Sequence, residues 1–236
     1  MTNNKTLDLK LILSVVNLNK VSIFQNGELV LSDISLNVNK GDFVFLIGRT
    51  GSGKSSLIKT IYGDIPLKKG DGKVVSFSLN NLKEHQTPYL RRKIGIVFQD
   101  FKLLTDRNIF ENLNFVLRAT GWKDKDLIKK RINEVLSLVS LNNVLKKFSS
   151  ELSGGEQQRT AIARSLLNNP EIIIADEPTG NLDPQTSHEI MELFQSLNQN
   201  GMTILMATHD YNMIAKFPSK VLKCENGEVF EVIQKN

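Results

Sequence analysis

The feature that most constrains the fold is a glycine-rich segment at residues 48–55, which reads Gly-Arg-Thr-Gly-Ser-Gly-Lys-Ser. It follows a continuous apolar run at residues 43–47, a pattern typical of a strand that is buried on both faces. A helical pattern then begins at Lys54. Glycines let the backbone curve closely around an anion, and the free amide groups that open a helix bind phosphate. The segment therefore predicts a parallel α/β core with its ligand at the carboxyl ends of the strands.

The positions of this phosphate loop, or P-loop, have separate expected roles. Lys54 should reach the β- and γ-phosphates of a nucleotide, and the Ser55 hydroxyl should ligate Mg²⁺. The remaining positions should contribute backbone N–H groups or the first turn of the helix. These further nucleotide-binding candidates are Gly48, Arg49, Thr50, Gly51, Ser52, Gly53 and Ser56.

A second motif, Leu-Ser-Gly-Gly-Glu-Gln-Gln-Arg, occupies residues 152–159. Small residues again open a helix, so unpaired N–H groups can face an anion. In this order the two motifs resemble those of the ATP-binding-cassette (ABC) ATPases. The resemblance implies ATP and Mg²⁺ as cofactors, hydrolysis of ATP, and a homodimer that clamps ATP between two copies of the domain. In the second motif the resemblance assigns nucleotide binding to Ser153, Gly154, Gly155 and Glu156.

Two adjacent carboxylates, Asp176 and Glu177, end the buried strand predicted at residues 171–175, as they do in the Walker B motif. Asp176 is expected to hold Mg²⁺ through its waters. Glu177 is expected to polarise the attacking water, because phosphoryl transfer requires mainly positioning and charge stabilisation from the protein. Without a P-loop, the same pair could merely cap the following helix.

The family resemblance assigns four further residues. His209 corresponds to the switch histidine that contacts the γ-phosphate, and Gln99 to the glutamine that senses Mg²⁺ and the attacking water. Asp183 corresponds to the loop that crosses to the partner subunit, although it could also cap the helix that begins at Pro184. Phe24 lies where the family places an aromatic ring against adenine, with a place in the core as the alternative.

The pattern along the chain predicts one domain after a loose polar arm at residues 1–10, and the family resemblance implies that residues 11–236 form one ABC-type domain. The expected fold is α/β: a P-loop NTPase with a RecA-like parallel-sheet core, an antiparallel β-subdomain and an inserted α-helical subdomain. The antiparallel region should turn at Asn26-Gly27, and the helical subdomain should span approximately residues 100–168. Further strands are predicted at residues 74–77, 94–98 and 203–207, with a closing hairpin around Asn226-Gly227.

Composition excludes several alternatives. No segment reaches the roughly 18–20 apolar residues that span a bilayer, and no signal-peptide pattern opens the chain, so we expect a soluble, intracellular protein. The single cysteine, Cys224, excludes an internal disulfide and a cysteine-based zinc site. The net charge is +5, but the basic residues form short clusters that solvated surface explains better than nucleic-acid binding.

Within the family, residues 88–101 and 103–107 resemble the cell-division, or FtsE-type, ATPases. Asp100, Asp106 and Arg107 separate this type from the lipoprotein-releasing and macrolide-export transporters, which are the alternative. The resemblance implies a peripheral protein on the cytoplasmic side of the bacterial inner membrane. Its partner would be an FtsX-like membrane protein with four transmembrane helices, through which ATP-driven dimerisation controls peptidoglycan hydrolases.

The segment after Gln99 is expected to form part of the groove that receives the cytoplasmic helix of this membrane partner. Its apolar residues could instead simply anchor the helical subdomain. A soluble ABC protein acting on nucleic acid or ribosomes is a third class, but the chain lacks the inserted modules or second cassette of those proteins. The apolar residues of the segment are Phe101, Leu103 and Leu104.

Overall fold

The computed structural model describes residues 14–232, so the arm predicted at residues 1–10 lies outside the described part. Two sheets and a set of helices make up this range. The strands are β1 (Ser14–Gln25), β2 (Glu28–Asn39), β3 (Phe43–Ile47), β4 (Lys69–Val74), β5 (Phe77–Ser78), β6 (Ile94–Phe98), β7 (Ile172–Asp176), β8 (Thr203–Thr208), β9 (Lys220–Glu225) and β10 (Glu228–Val232). The helices are α1 (Lys54–Ile61), α2 (Thr87–Arg92), α3 (Ile109–Ala119), α4 (Lys125–Leu138), α5 (Gly154–Leu166), α6 (Pro184–Gln199) and α7 (Tyr211–Lys216).

The central sheet has the strand order β10-β9-β3-β8-β7-β6. Its strands pair in parallel except at the edge, where β10 pairs antiparallel with β9. Neighbouring residues of β3 point to opposite faces, as in any strand. Phe45 packs in a cluster with the helices, whereas Val44 and Leu46 pack in a second cluster with the other sheet. Both faces of the strand are therefore buried, as its continuous apolar run predicts.

The second sheet is antiparallel, with the order β2-β1-β4-β5. Its long β1–β2 hairpin turns at Asn26 and Gly27, both of which have positive φ, so the predicted turn is confirmed. The strand predicted at residues 74–77 is wrong. The chain leaves β4 after Val74, turns at Val75 with a φ of 55°, and starts β5 at Phe77. A β-branched residue rarely adopts this conformation, so the residue types at this position carry no turn signal.

Helices α3, α4 and α5 fill the region where a helical insertion is predicted and pack in the same apolar cluster as one face of the central sheet. Asn108 begins α3 with a reciprocal cap: its side chain accepts from Glu111 N, and Glu111 binds back to Asn108 N. Asp124 caps α4 by accepting from the N–H groups of Asp126 and Leu127. Among residues 14–232, no helix combines the length and apolar character that crossing a bilayer requires.

Candidate active site

The P-loop joins the end of β3 to α1, as its sequence predicts. Gly53 caps the helix with a φ of 102°, and no side chain caps the helix amides there. Gly48 lies so close to β9 that a Cβ atom would stand 2.4 Å from the carbonyl oxygen of Cys224. Any larger residue at either position would therefore distort the loop. The helix N-terminus stays open toward an anion.

Lys54 lies inside this loop and is only 6% exposed. Its ammonium group donates to the carbonyl oxygens of Gly48, at 2.6 Å, and Arg49, at 3.3 Å. No carboxylate lies within 4 Å of Lys54 in the described part of the chain. The buried cation is thus held by carbonyl dipoles alone, which leaves its charge available to an anionic ligand.

A cleft of about 420 Å³ opens in front of the P-loop. It lies between the loop, Glu177 and the turn of the β1–β2 hairpin. Phe24 is half-buried on β1 and does not line this cleft, so its stacking on adenine stays a prediction. The Ser56 hydroxyl bonds the Gln25 amide oxygen at 2.7 Å, which ties α1 to the hairpin. The lining residues are Gln25, Asn26, Glu28, Val30, Thr50, Gly51, Gly53, Lys54, Ser55, Ser56 and Glu177.

Asp176 ends β7 beside the P-loop, with its carboxylate 3.4 Å from the Ser55 hydroxyl. Burial, followed by the neighbouring Glu177 charge, raises the pKa of Asp176, and Lys54 and Ser55 only partly oppose this effect. A half-buried carboxylate next to a hydroxyl is an oxygen-rich pair that a hard cation would stabilise. These two residues therefore fit the Mg²⁺ that the sequence predicts.

Glu177 and His209 meet across the ends of β7 and β8. The Nδ1 atom of His209 lies 3.0 Å from Oε2 of Glu177. Glu177 has a φ of 48°, and its backbone is fixed by bonds from its N–H to Ala207 and from Gly180 N–H to its carbonyl. Such left-handed geometry in a non-glycine residue costs roughly 1–3 kcal/mol and persists only where surrounding contacts hold it. The two predicted catalytic side chains are thus brought together at the cleft.

Gln99 follows β6 and packs against the loop after Glu177. Its amide donates to Oδ1 of Asn181 at 3.1 Å, and the Asn181 amide donates back to the Gln99 carbonyl at 3.1 Å. A Cβ on Gly180 would stand 2.8 Å from the Gln99 amide nitrogen, so a larger residue there would displace the Gln99 side chain. Asn181 was not singled out by the sequence analysis, because a loop asparagine carries no signal of such a contact.

The second glycine motif begins α5 with a reciprocal cap. The Ser153 hydroxyl accepts from Glu156 N at 3.2 Å, and the Glu156 carboxylate accepts from Ser153 N at 2.8 Å. No residue of this motif lines the cleft at the P-loop. Within one chain the structure therefore keeps Ser153, Gly154, Gly155 and Glu156 apart from the P-loop cleft, and the two glycines pack beside Leu182 and Thr186, close to Asp183.

Asp183 caps α6 by accepting from the N–H groups of Gln185, at 3.1 Å, and Thr186, at 3.0 Å. Hydrogen bonds from Thr186 hold the pKa of Asp183 below its ordinary value. The capping alternative is thus realised, and the exposed side chain remains accessible to a partner. Asp183 also lies outside the P-loop cleft.

Two contacts behind the site were missed by the sequence analysis. Gln158 is fully buried in α5 and donates to the Pro178 carbonyl at 2.6 Å, next to Glu177. Cys224 is 1% exposed in β9, and its thiol donates to the Ser52 carbonyl at 2.8 Å, which supports the P-loop from below. Both contacts are set by tertiary packing, which residue type alone does not reveal.

Comparison with known proteins identifies the family. Residues 31–180 match the ABC transporter family. The chain belongs to this family. It is 44% identical over 209 residues to the cell division ATP-binding protein FtsE of Streptococcus pneumoniae, covering 89% of this chain and 90% of that protein. It is 46% identical to FtsE of Bacillus subtilis, with 86% and 89% covered, and 39% identical to FtsE of Escherichia coli, with 87% and 92% covered.

Solved structures agree with this assignment. The ABC ATPase resembles the dimeric ATP-binding cassette MJ0796 in a post-hydrolysis state bound to ADP and Pi, with a TM-score of 0.81, 35% identity, and 94% and 99% of the two chains covered. It also resembles cbiO1 from Clostridium perfringens, part of the ABC transporter complex cbiONQ, with a TM-score of 0.84, 28% identity, and 92% and 87% covered. The predicted fold class is confirmed, and the chain is an FtsE-like ABC ATPase.

Proposed function

We propose that this ATPase is the nucleotide-binding subunit of an FtsEX-type membrane complex in cell division. The names of its relatives support the biological setting, since each is a cell division ATP-binding protein at 39–46% identity. The observation that carries the catalytic part is the Glu177–His209 contact at the mouth of the P-loop cleft.

In this proposal Lys54 binds the β- and γ-phosphates of ATP and the open amides of the P-loop surround them. Ser55, Asp176 and Gln99 hold Mg²⁺, which when bound would neutralise phosphate charge. Glu177 orients and polarises the attacking water, and His209 holds Glu177 by one ring nitrogen while it contacts the γ-phosphate. Phe24 stacks on the adenine ring.

The second phosphate cradle is supplied by a partner copy. Ser153, Gly154, Gly155 and Glu156 stand apart from the P-loop cleft within one chain, so they act on the nucleotide of a second subunit. Asp183 lies in the loop that would cross to this second subunit. The dimeric state of the similar cassette bound to ADP and Pi supports this arrangement. ATP binding would close the dimer, and hydrolysis would open it.

Closing and opening would be transmitted to an FtsX-like partner with four transmembrane helices, and through it to peptidoglycan hydrolases. The ATPase would be peripheral on the cytoplasmic side of the inner membrane. Its helical subdomain, approximately residues 100–168, would carry the docking segment that includes Phe101, Leu103 and Leu104. Of these side chains, Leu104 is 37% exposed.

The substitution Glu177→Gln tests the catalytic part. We expect turnover to fall by at least about tenfold while ATP affinity stays within about threefold, because the amide keeps the shape but cannot act as a base. The variant should accumulate ATP-bound dimer, which light scattering would measure. Glu171→Gln, at the other end of the same strand region, is the matched control and should keep normal turnover. Wild-type turnover in Glu177→Gln would refute the assignment of the base.

Complementation tests the biological part. In a Bacillus subtilis strain that lacks FtsE, the wild-type chain together with its own membrane partner should restore division, and Glu177→Gln should not. Failure of the wild-type pair to restore division, together with restored lipoprotein release or drug export in strains that lack the ATPase of those transporters, would favour the transporter alternative.

A further inference from the structure

The chain takes an unusual path directly after Gln99. Phe101 and Lys102 have φ values of 56° and 51°, so two consecutive non-glycine residues adopt the left-handed conformation. Single residues of this kind are uncommon, and an adjacent pair persists only where surrounding contacts hold it. Asp100 closes part of the turn, since its carbonyl accepts from Lys102 N–H and its carboxylate lies 2.6 Å from the Lys102 ammonium.

Arg164 provides the contact that this path requires. It lies in α5, the helix that begins with the second glycine motif, and its guanidinium donates to the Phe101 carbonyl at 2.8 Å and to the Lys102 carbonyl. The planar fork of an arginine presents two nitrogens to two neighbouring acceptors, a geometry that the single ammonium nitrogen of a lysine does not reproduce. No carboxylate lies within 4 Å of Arg164 in the described range, so these carbonyls are its main partners.

The other end of the same segment is held by Asn181, through its reciprocal pair of hydrogen bonds with Gln99. Asn181 belongs to the loop between Glu177 and the cap of α6. Residues 99–102 are therefore fixed at one end by the loop that follows the candidate base and at the other end by α5. The Gln99 side chain makes the first of these attachments itself, two residues before the first of the carbonyls that Arg164 binds.

We propose that Arg164 and Asn181 are positioning residues that set the place of the Gln99 amide, and that Arg164 makes this place depend on α5. A displacement of α5 relative to the central sheet would pull on the Phe101 and Lys102 carbonyls and shift the segment that carries Gln99. Formation of the second phosphate cradle at the start of α5 would in this way change the position of the Gln99 amide. This inference rests on the proposed function, in which Gln99 acts on Mg²⁺ and the attacking water.

The test is Arg164→Lys, which keeps the charge but replaces the two-nitrogen fork with a single nitrogen on a shorter side chain. We expect turnover to fall by roughly tenfold while ATP affinity stays within about twofold, because a small misplacement near the reacting groups affects the chemical step more than binding. Asn181→Ala should give the same pattern. Steady-state kinetics and fluorescent-nucleotide titration on the full chain measure both quantities.

Arg131→Lys is the matched control. Arg131 also donates to two main-chain carbonyls of the helical region, those of Leu166 and Leu167, at 2.5 and 3.0 Å, but it does not reach residues 99–102. It should lower the melting temperature about as much as Arg164→Lys and leave turnover unchanged. Equal loss of turnover in both lysine variants would reduce Arg164 to a structural role and overturn the proposal.

A double-mutant cycle separates positioning from general damage. Because both residues act through Gln99, Arg164→Lys with Asn181→Ala should be no slower than the slower single variant, and Gln99→Ala should set the same lower limit. Multiplying effects, or a variant that changes affinity instead of turnover, would contradict the inference. Normal turnover in Arg164→Lys alongside an inactive Glu177→Gln refutes only this inference, whereas active Glu177→Gln refutes the proposed function.

Discussion

The two glycine motifs of this chain open two helices in opposite ways. At α1 no side chain caps the helix, no acid lies in the first turn, and Lys54 adds a buried positive charge. At α5 the Ser153 hydroxyl and the Glu156 carboxylate cap each other's backbone, and the first turn carries an acid. Both sequences place small residues at a helix start, yet only α1 presents an uncompensated positive site within a single chain.

The difference indicates where each motif obtains its ligand. The reciprocal cap at α5 uses the N–H groups of Ser153 and Glu156, which leaves those of Gly154 and Gly155 without helical partners. Two amides next to a carboxylate make a weak phosphate site alone. They can act on a nucleotide that another loop already holds, as proposed for the dimer.

The largest effect is expected at the P-loop. Lys54→Ala should weaken ATP binding by about 100-fold or more, because a buried, charge-assisted contact to phosphate is lost. Fluorescent-nucleotide titration measures the affinity, and Lys68→Ala, at an exposed lysine nearby in sequence, is the control. Unchanged affinity in Lys54→Ala would break the contrast between the two helix starts.

The next effect is expected at α5 and should affect assembly instead of binding. Ser153→Arg should abolish ATP-dependent dimerisation while the affinity of the monomer for ATP changes by less than about threefold, because the motif lies outside the P-loop cleft. Light scattering with and without ATP measures the dimer. Ser153→Ala isolates the loss of the cap, and Ser137→Arg, on an exposed face of α4, controls for the added charge. A large loss of monomer affinity would contradict the separation of the motifs.

A smaller effect concerns stability at the α1 side. The raised pKa of Asp176 means that the folded state holds its proton more tightly than the unfolded state. Stability without nucleotide therefore falls as the pH rises from the ordinary value of 3.8 through the raised value, and the whole penalty is present above that raised value. Asp176→Asn should raise the melting temperature there by roughly 2 °C and remove this pH dependence. A lower melting temperature in Asp176→Asn would contradict the predicted gain in stability.

The matching substitution at α5 should lower the melting temperature instead of raising it. Glu156→Ala removes one half of the reciprocal cap and an acid from the first turn, which costs about 0.5–1 kcal/mol. The melting temperature should then fall by roughly 2 °C for a chain of this size. Scanning calorimetry on both variants under one buffer compares the two helix starts directly, and shifts of the same sign would remove the contrast.

Sequence patterns predicted those parts whose physics is local. The strand before the P-loop, the start of α1, the hairpin turn at Asn26-Gly27 and the carboxylates after β7 all follow from neighbouring residues. The turn at Val75 escaped prediction because its residue type opposes the backbone that tertiary packing imposes. The short helices α2 and α7 carry too few turns to produce a periodic signal.

The contacts that join the motifs could not be predicted in the same way. Asn181 meets Gln99 across 82 positions of sequence, and Arg164 meets Lys102 across 62. Such pairs depend on the order of strands in the sheet and on how the helical region packs against it. One sequence specifies the groups available for these contacts but not which of them meet.

The position of Cys224 gives the protein a native reporter of its own loop. It is the one thiol in the chain, and its sulfur lies under the P-loop, bonded to the Ser52 carbonyl. A soluble thiol reagent can reach the Cys224 sulfur only when the loop moves away from β9. The rate of labelling therefore depends on how often the loop opens, and no engineered cysteine is needed. Bound nucleotide should slow that labelling, because it holds the loop closed, so the labelling rate measures how often the P-loop opens.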